Sequence, residues 1–225
     1  FREALSYWDA PSQNFVYADI EGNIGYQAPG RIPIRATGDG TMPVPGWTGE
    51  HEWVDFIPFD DLPRAFNPPE GYIVTANNAV IGEEYPHLLT KGWDPGCRAQ
   101  RISDLIGADS SLSIEDVQAI QGDNTVLWSQ WVLPYVTDVS SGKAQLGEAV
   151  DLLQDWDRTA TRDSAGAALF EAFRLQLIDA TFGDELGADL LAKARPALVE
   201  ALLDLLPTPD SAWFDDVTTP AVETR

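Results

Sequence analysis

The sequence is short of cysteine and contains no long apolar segment. Cys97 is the only cysteine in 225 residues, so no disulfide can form within the chain. No apolar run approaches the roughly 20 residues that a membrane-spanning helix needs. The chain opens on Phe1 instead of Met, and it has neither the basic nor the apolar segment of a signal peptide. We therefore expect a piece of a longer protein or a product processed from one.

Positive charge is also scarce. Lys and Arg together number 14 against 36 Asp and Glu, which gives a formal net charge of -22. A surface this anionic repels phosphate backbones and anionic lipid, so we expect no nucleic-acid partner and no membrane partner. Asp outnumbers Glu by 23 to 13, and only three residues are Lys. Compact carboxylates with few apolar Lys stems suit high salt, so we consider a halophilic source, with an ordinary acidic protein as the alternative.

The residues that are present predict a globular α+β protein. A hydrophobic content of 44% with eight Trp exceeds what disordered chains carry. Most of the Gly and Pro fall in the first part of the chain, and apolar residues recur at helical spacing in the second part. We predict short antiparallel strands and ordered loops over residues 1–97, a helical region over 98–206 and an irregular tail over 207–225.

Strand and turn signals are concentrated in the first part. Residues 14–18 and 24–27 are strand-like, and the Asp, Gly and Asn between them favour a turn, so we predict a β-hairpin. Residues 71–76, with the sequence Gly-Tyr-Ile-Val-Thr-Ala, predict a buried strand that ends at Asn77.

Helix signals dominate the second part. Ser113, followed three residues later by Asp116, predicts a capping box at a helix start. Pro196 predicts a kink or break in the last helix. Apolar side chains at helical spacing predict the core-facing stripes, which comprise Leu146, Val150, Leu153, Trp156, Leu169, Phe173, Leu177, Leu186, Leu190, Leu191, Leu198, Leu202 and Leu205.

The common catalytic and metal-binding patterns find little support. Cys97, His51 and His87 occur without a thiol-enzyme signature, and no Gly-x-Ser-x-Gly segment marks a serine nucleophile. Neither His has ligands spaced for zinc. The segment that begins at Asp19 starts like a calcium loop, but Ile24 stands where that loop needs Gly, so we favour a hairpin turn.

Asn77 is the residue with the clearest chemical potential. It follows a predicted strand and is paired with Asn78. A side-chain amide offers N–H donors that do not titrate, which suits the stabilisation of an oxyanion. From the residues alone, a turn-forming role for Asn is the stronger alternative. For Arg98, at the start of the helical region, the alternative to a functional role is that it forms an ion pair at the surface.

Several motifs of the sequence occur in the same order as in a known protein family. Residues 14–26 resemble the N-x-x-Y-A-D-x-x-G-N-I-G-Y stretch of penicillin acylases and acyl-homoserine-lactone acylases. Residues 67–78, Asn-Pro-x-x-Gly-Tyr-Ile-Val-Thr-Ala-Asn-Asn, resemble a second stretch of that family. The likeness covers nearly the whole chain, and the ordered set is specific although each motif alone is weak. Further landmarks are Gly30, Pro33, Pro43 to Gly46, Trp53, Ile57 to Phe59, Leu62, Pro63, Gly92, Trp93, Cys97, Arg98, Arg101, Ile102, Gln121, Asp123, Leu152, Trp156 and Asp157.

The resemblance implies an N-terminal nucleophile hydrolase with a four-layer αββα core, cut from one precursor into two subunits. A new N-terminal Ser, Cys or Thr would attack an amide, and its own α-amine, with a pKa of about 7.7–8.0, would accept the proton. Asn77 falls on the family's oxyanion-hole Asn, and Arg98 on the Arg that supports the nucleophile and that Asn. The implied partners are the α subunit, the nucleophile-bearing part of the β subunit and a small-molecule acyl amide. The implied location is extracellular, periplasmic or at the cell surface.

The sequence departs from the family at two points. Phe1 cannot be the nucleophile, so we expect the attacking residue to lie outside this chain. The positions that would align with the family's calcium ligands hold Gly40 and Leu89, which offer no side-chain ligand, so we predict no calcium site from this segment, and we assign it no cofactor. A degenerate relative or a non-catalytic helical binding module is the alternative function. In either case we expect the isolated chain to be inactive.

Overall fold

The chain divides into two structural units, one loop-rich and one helical. The computed structural model describes residues 1–137 and 144–219, and the units are Phe1–Ser111 and Leu112–Arg225. The predicted change to helix near residue 98 coincides with the start of helix α2 at Cys97, and this helix groups with the first unit. Among the described residues, no helix is long and apolar enough to cross a membrane.

The first unit is built from two small antiparallel sheets and two helices. One sheet has the strand order β1-β2-β5 and the other pairs β3 with β4. The predicted hairpin is confirmed as β1 and β2, with Tyr17 opposite Gly25. The elements are α1 (Arg2–Leu5), β1 (Phe15–Ala18), β2 (Ile24–Gln27), β3 (Pro33–Arg35), β4 (Trp53–Phe56), β5 (Arg64–Phe66) and α2 (Cys97–Gly107).

The hairpin turn is organised by one carboxylate. Asp19 accepts hydrogen bonds from the backbone N–H groups of Glu21 and Asn23 at 2.9 and 2.8 Å. It also accepts from the Asn23 amide at 2.9 Å and the Tyr17 hydroxyl at 2.8 Å. These four donors hold the pKa of the Asp19 carboxyl at about 2, with the Asn23 side chain as the largest cause. The carboxylate thus serves the turn, as the sequence predicted.

Asn67 ties the end of β5 to the hairpin. Its side-chain oxygen accepts from the Ile24 N–H at 2.8 Å, and its amide nitrogen donates to the Asn23 side-chain oxygen at 2.8 Å. Its own φ is +46°, a left-handed conformation that Asn adopts more readily than most other non-Gly residues. Through these hydrogen bonds, the segment that runs from residue 68 to Asn77 starts at a point attached to the hairpin.

The second unit is helical and contains two buried apolar clusters. Ser113 and Asp116 form the predicted capping box at the start of α3. One buried cluster contains Phe170 and Leu153, and another contains Ile178 and Leu202. The helices are α3 (Ile114–Gln121), α4 (Ser129–Thr137), α5 (Ala144–Gln154) and α6 (Ala165–Leu205).

Three expectations are wrong. Residues 71–76 form no strand, because within the described chain residues 72–76 make no backbone–backbone hydrogen bond with another segment and so complete no ladder. The break in α6 lies at Gly187, with φ +68° and ψ 163°, and not at Pro196, because Gly alone adopts a left-handed backbone without a Cβ penalty. Leu146 and Leu190, assigned to core stripes, are 44% and 52% exposed.

Candidate functional site

The two adjacent asparagines have different structural roles. The Asn78 side-chain oxygen accepts from the Ala76 N–H at 3.1 Å, and its amide donates to the Ala79 carbonyl at 2.9 Å. Asn78 is therefore the residue that shapes the local turn. Asn77 has a φ of +64° and an exposed side chain that points to another element. The turn-forming alternative weighed for Asn77 from the sequence thus describes its neighbour better.

Arg98 is the partner of Asn77. The Nη2 atom of Arg98 lies 2.9 Å from the Asn77 Oδ1, 2.8 Å from the Ala76 carbonyl oxygen and 2.9 Å from the Asp94 Oδ2, so its two hydrogens are shared among three acceptors. Arg98 occupies the first turn of α2, whose N-cap is Gly96 with a φ of +87°. The structure therefore brings together the two site residues that the sequence selected, 21 positions apart.

The contact with Arg98 fixes which way the Asn77 amide faces. A guanidinium has only donors, so the amide atom against it must be the oxygen. The amide nitrogen of Asn77 consequently points away from Arg98, and it makes no hydrogen bond with any residue that the structure describes. The Asn77 side chain therefore presents an exposed, neutral N–H donor, while its carbonyl oxygen is held by the permanently charged guanidinium of Arg98. This is the arrangement that binds a developing negative charge on oxygen.

Asp94 completes the cluster and was missed by the sequence reasoning. Its carboxylate pairs with Arg98, and its backbone N–H donates to the Asn77 carbonyl at 2.8 Å. One signal was available, because Asp94 and Arg98 are four residues apart at a helix start. A cation in the first turn of a helix is disfavoured by the helix dipole, and a nearby anion offsets that unfavourable interaction.

The thiol and imidazoles do not assemble into a catalytic group. His51 shares a 2.8 Å hydrogen bond with Thr37, and His87 lies 3.7 Å from Asp61, so within the described chain neither ring is bonded to Cys97. Burial, and then the Asp94 carboxylate, raise the pKa of the half-buried Cys97 thiol, which keeps it protonated at neutral pH.

Two further features bear on ligands. Over residues 1–137 and 144–219, no three or more His, Cys, Asp or Glu side chains gather as a metal site would require. A cavity of about 520 Å³ lies at the β1-β2-β5 sheet, away from Asn77 and Arg98. Its lining consists of Phe1, Arg2, Tyr17, Gly25, Tyr26, Gln27, Arg64, Ala65 and Phe66.

The sequence is similar to those of known proteins. A model of the penicillin amidase family matches residues 1–225. The penicillin acylase 2 proenzyme of a Pseudomonas species is 34% identical over 183 residues, which cover 78% of this chain and 23% of the relative. The acyl-homoserine lactone acylase QuiP of Pseudomonas syringae pv. tomato is 31% identical over 234 residues, which cover 94% of this chain and 28% of the relative. The chain thus spans about a quarter of the length of these curated relatives.

The fold is also shared with a solved structure. The thermostable penicillin G acylase from Alcaligenes faecalis superposes with a TM-score of 0.65 over 93% of this chain and 37% of that chain, at 22% identity. At this identity the likeness concerns the fold alone. It confirms the predicted α+β class of a fragment, with short antiparallel strands followed by helices.

Proposed function

The chain belongs to the penicillin amidase family, as its motifs predicted, and on that premise we propose that it supplies the oxyanion-binding part of an amidohydrolase. The observation that carries the proposal is the contact between Arg98 and the Asn77 Oδ1, which leaves the Asn77 amide nitrogen open as a donor. The proposed substrate is a small acyl amide. Relatives named as penicillin acylase and acyl-homoserine lactone acylase suggest a β-lactam nucleus or a homoserine lactone as its amine part.

In the proposed reaction, an N-terminal Ser, Cys or Thr from outside this chain attacks the amide carbonyl carbon. A bond forms from the nucleophile to that carbon, and the nucleophile's proton passes to its own α-amine. The carbonyl oxygen becomes an oxyanion, which accepts a hydrogen bond from the Asn77 amide nitrogen. Collapse breaks the carbon–nitrogen bond, and the leaving amine takes the proton. Water then releases the acid from the acyl-enzyme by the same steps.

Arg98 contributes orientation and charge to this step. Because its guanidinium holds the Asn77 Oδ1 at 2.9 Å, the amide does not rotate to offer its oxygen to the substrate. A positive charge behind the amide also polarises the N–H group toward the oxyanion. Both effects are in place before the reaction begins, which is what makes such donors effective in catalysis.

The partners in this proposal are the remaining segments of the same precursor, namely the α subunit and the nucleophile-bearing part of the β subunit. Two observations support them. Val16 on β1 and Phe66 on β5 leave 58% and 67% of their surface exposed on the small sheet. Residues 71–76 pair with none of the described strands. We also infer an extracellular, periplasmic or cell-surface location from the family resemblance, which fractionation of expressing cells would test.

The test uses the full-length precursor and a chromogenic acyl amide. We expect Asn77→Gly to lower kcat by about 10²–10³-fold, or about 2.7–4 kcal/mol, because one oxyanion donor is lost. Gly tolerates the +64° φ of residue 77, so this variant removes the amide without adding backbone strain. Arg98→Lys should lower kcat less, by about 10-fold to 100-fold, because the charge is kept but a strongly hydrated ammonium on a flexible stem holds the Asn77 Oδ1 less firmly.

Matched controls separate this role from a general loss of amide groups. Asn124→Ala removes an exposed Asn in the second unit and should leave kcat unchanged. Autocatalytic processing should also be preserved in Asn77→Gly, since the amide acts on the substrate oxyanion. Unchanged kcat in Asn77→Gly would refute the oxyanion assignment and favour the alternative of a degenerate or non-catalytic relative.

We further propose a halophilic origin from the net charge of -22 and the excess of Asp over Glu. Screening by molar salt reduces the mutual repulsion of the carboxylates, so the folded protein should be more stable there than in dilute buffer. Thermal unfolding at both salt concentrations measures the difference. Equal transition temperatures would leave an ordinary acidic protein as the explanation.

A further inference from the structure

Asp94 contacts both members of the Asn77–Arg98 pair. Its Oδ2 atom lies 2.9 Å from the Arg98 Nη2, and its backbone N–H donates to the Asn77 carbonyl at 2.8 Å. Its other carboxylate oxygen, Oδ1, accepts from the Gly96 N–H at 3.1 Å. Asp94 is therefore bonded to the loop that carries Asn77, to the start of α2 and to the guanidinium between them.

The Arg98 side chain needs such an anchor. It is 58% exposed, and a long exposed side chain retains considerable rotamer freedom in water. It also lies in the first turn of α2, where the N-terminal end of the helix dipole disfavours a cation. Without an anion nearby, both effects would draw the guanidinium away from the Asn77 amide into solvent. The Asp94 carboxylate is only 25% exposed and supplies the opposing charge at contact distance.

The two oxygens of Asp94 have separate tasks. Oδ1 is held by the Gly96 N–H, which fixes the side-chain rotamer, and this leaves Oδ2 directed at Arg98. A carboxylate accepts at both oxygens, whereas an Asn side chain has one oxygen and a donor nitrogen. Asn at this position would therefore satisfy Gly96 or Arg98, but not both.

We propose that Asp94 is a positioning residue for amide hydrolysis, which holds Arg98 against the Asn77 Oδ1 so that the amide nitrogen stays directed at the oxyanion. This inference rests on the proposed function, because it assigns Asp94 a role through Asn77. Asp94 itself touches no reacting atom. Its negative charge is compensated by Arg98, which lies between it and the Asn77 side chain.

The test measures kcat and KM of the mature enzyme from the full-length precursor. We expect Asp94→Ala to lower kcat by about 10-fold to 100-fold, since displacing a catalytic group by about 1 Å lowers the rate by up to about 100-fold. KM should stay nearly constant, because the lost interaction acts in the transition state. Asp94→Glu, which keeps an anion four residues before Arg98, should restore most of the lost kcat, and Asp94→Asn should lie between Ala and Glu.

A double-mutant cycle decides whether Asp94 acts through Asn77. When Asn77→Gly is already present, no amide remains to be positioned, so adding Asp94→Ala should lower kcat by less than about 2-fold. The matched control is Asp109→Ala, because Asp109 likewise accepts a backbone N–H two residues on, from Ser111 at 2.9 Å. This control should leave kcat unchanged.

The outcomes separate the two claims. If Asn77→Gly retains full activity, the proposed function fails and the positioning role fails with it. If Asn77→Gly is impaired but Asp94→Ala lowers kcat by the same factor in both backgrounds, only the positioning role is overturned. An increase of kcat in Asp94→Ala would also overturn it, since it would mean that the Asp94 charge opposes the oxyanion. If the Asp94→Ala precursor is not cleaved into subunits, the same double-mutant cycle with Asp94→Asn decides whether Asp94 acts through Asn77.

Discussion

The two units of this chain are held in shape by different kinds of contact. In the second unit, buried apolar side chains from α4, α5 and α6 form the clusters around Phe170 and Ile178. In the first unit, short strands and long loops are joined by side-chain hydrogen bonds of Asp19, Asn67 and Arg98. The helical unit thus depends mainly on its apolar clusters, whereas the loop-rich unit, which also buries Ile57 and Leu62, depends in addition on individual donors and acceptors.

This difference explains why the first unit is the more recognisable in sequence. An apolar cluster accepts many combinations of Leu, Ile, Val and Phe of suitable total volume. A hydrogen-bonded turn needs a particular polar group at a particular position. Asp19, Asn23 and Asn67 belong to the motifs that carry the family resemblance, and they are also the residues that make the bonds of the turn.

The largest expected effect on stability lies in the apolar core of the second unit. Leu202 is 1% exposed, so Leu202→Ala in the full-length protein should lower the free energy of unfolding by about 2–5 kcal/mol. Leu190 lies on the same helix and is 52% exposed, so Leu190→Ala should cost about 0.5 kcal/mol or less. Urea unfolding measures both. A loss at Leu190 as large as that at Leu202 would show that another part of the protein covers this side chain.

An intermediate effect is expected at the polar connection of the first unit. Asn67→Ala should lower the free energy of unfolding by about 1–2 kcal/mol, because the Ile24 N–H loses its acceptor and Ala must adopt a left-handed backbone. Asn67→Gly removes the same hydrogen bonds without the backbone strain, so the difference between the variants isolates the conformational part. Unfolding monitored by hydrogen exchange at β2 provides the measurement. Equal stability of Asn67→Ala and the wild type would contradict a polar basis for this unit.

The smallest effect is a pH dependence at the hairpin turn. The pKa of Asp19 is lowered in the folded protein from 3.8 to about 2. A depressed carboxyl pKa contributes stability that is complete above about 3.8 and is lost as the pH falls toward about 2. Asp19→Asn should remove this dependence from the hydrogen exchange of the β1–β2 amides, after correction for intrinsic exchange. The same pH profile in the wild type and the variant would assign the acid sensitivity to other carboxyl groups.

The sequence by itself determined the features that depend on neighbours along the chain. The β1–β2 hairpin follows from alternation and turn residues, and the capping box at Ser113 follows from a spacing of three. Asn77 and Arg98 were selected by amide chemistry and by motif order. Local patterns predict such features because the interacting groups are close in sequence, so no long-range geometry is needed.

Only the tertiary structure decided which groups meet across the chain. The orientation of the Asn77 amide depends on a guanidinium 21 residues away, and the role of Asp94 depends on contacts with both. Residues 71–76 form no strand because they pair with none of the described strands, and the exposure of Leu190 reflects which face of α6 is covered. Hydrogen-bond pairing and burial are properties of spatial neighbours, which residue types and spacing alone do not specify.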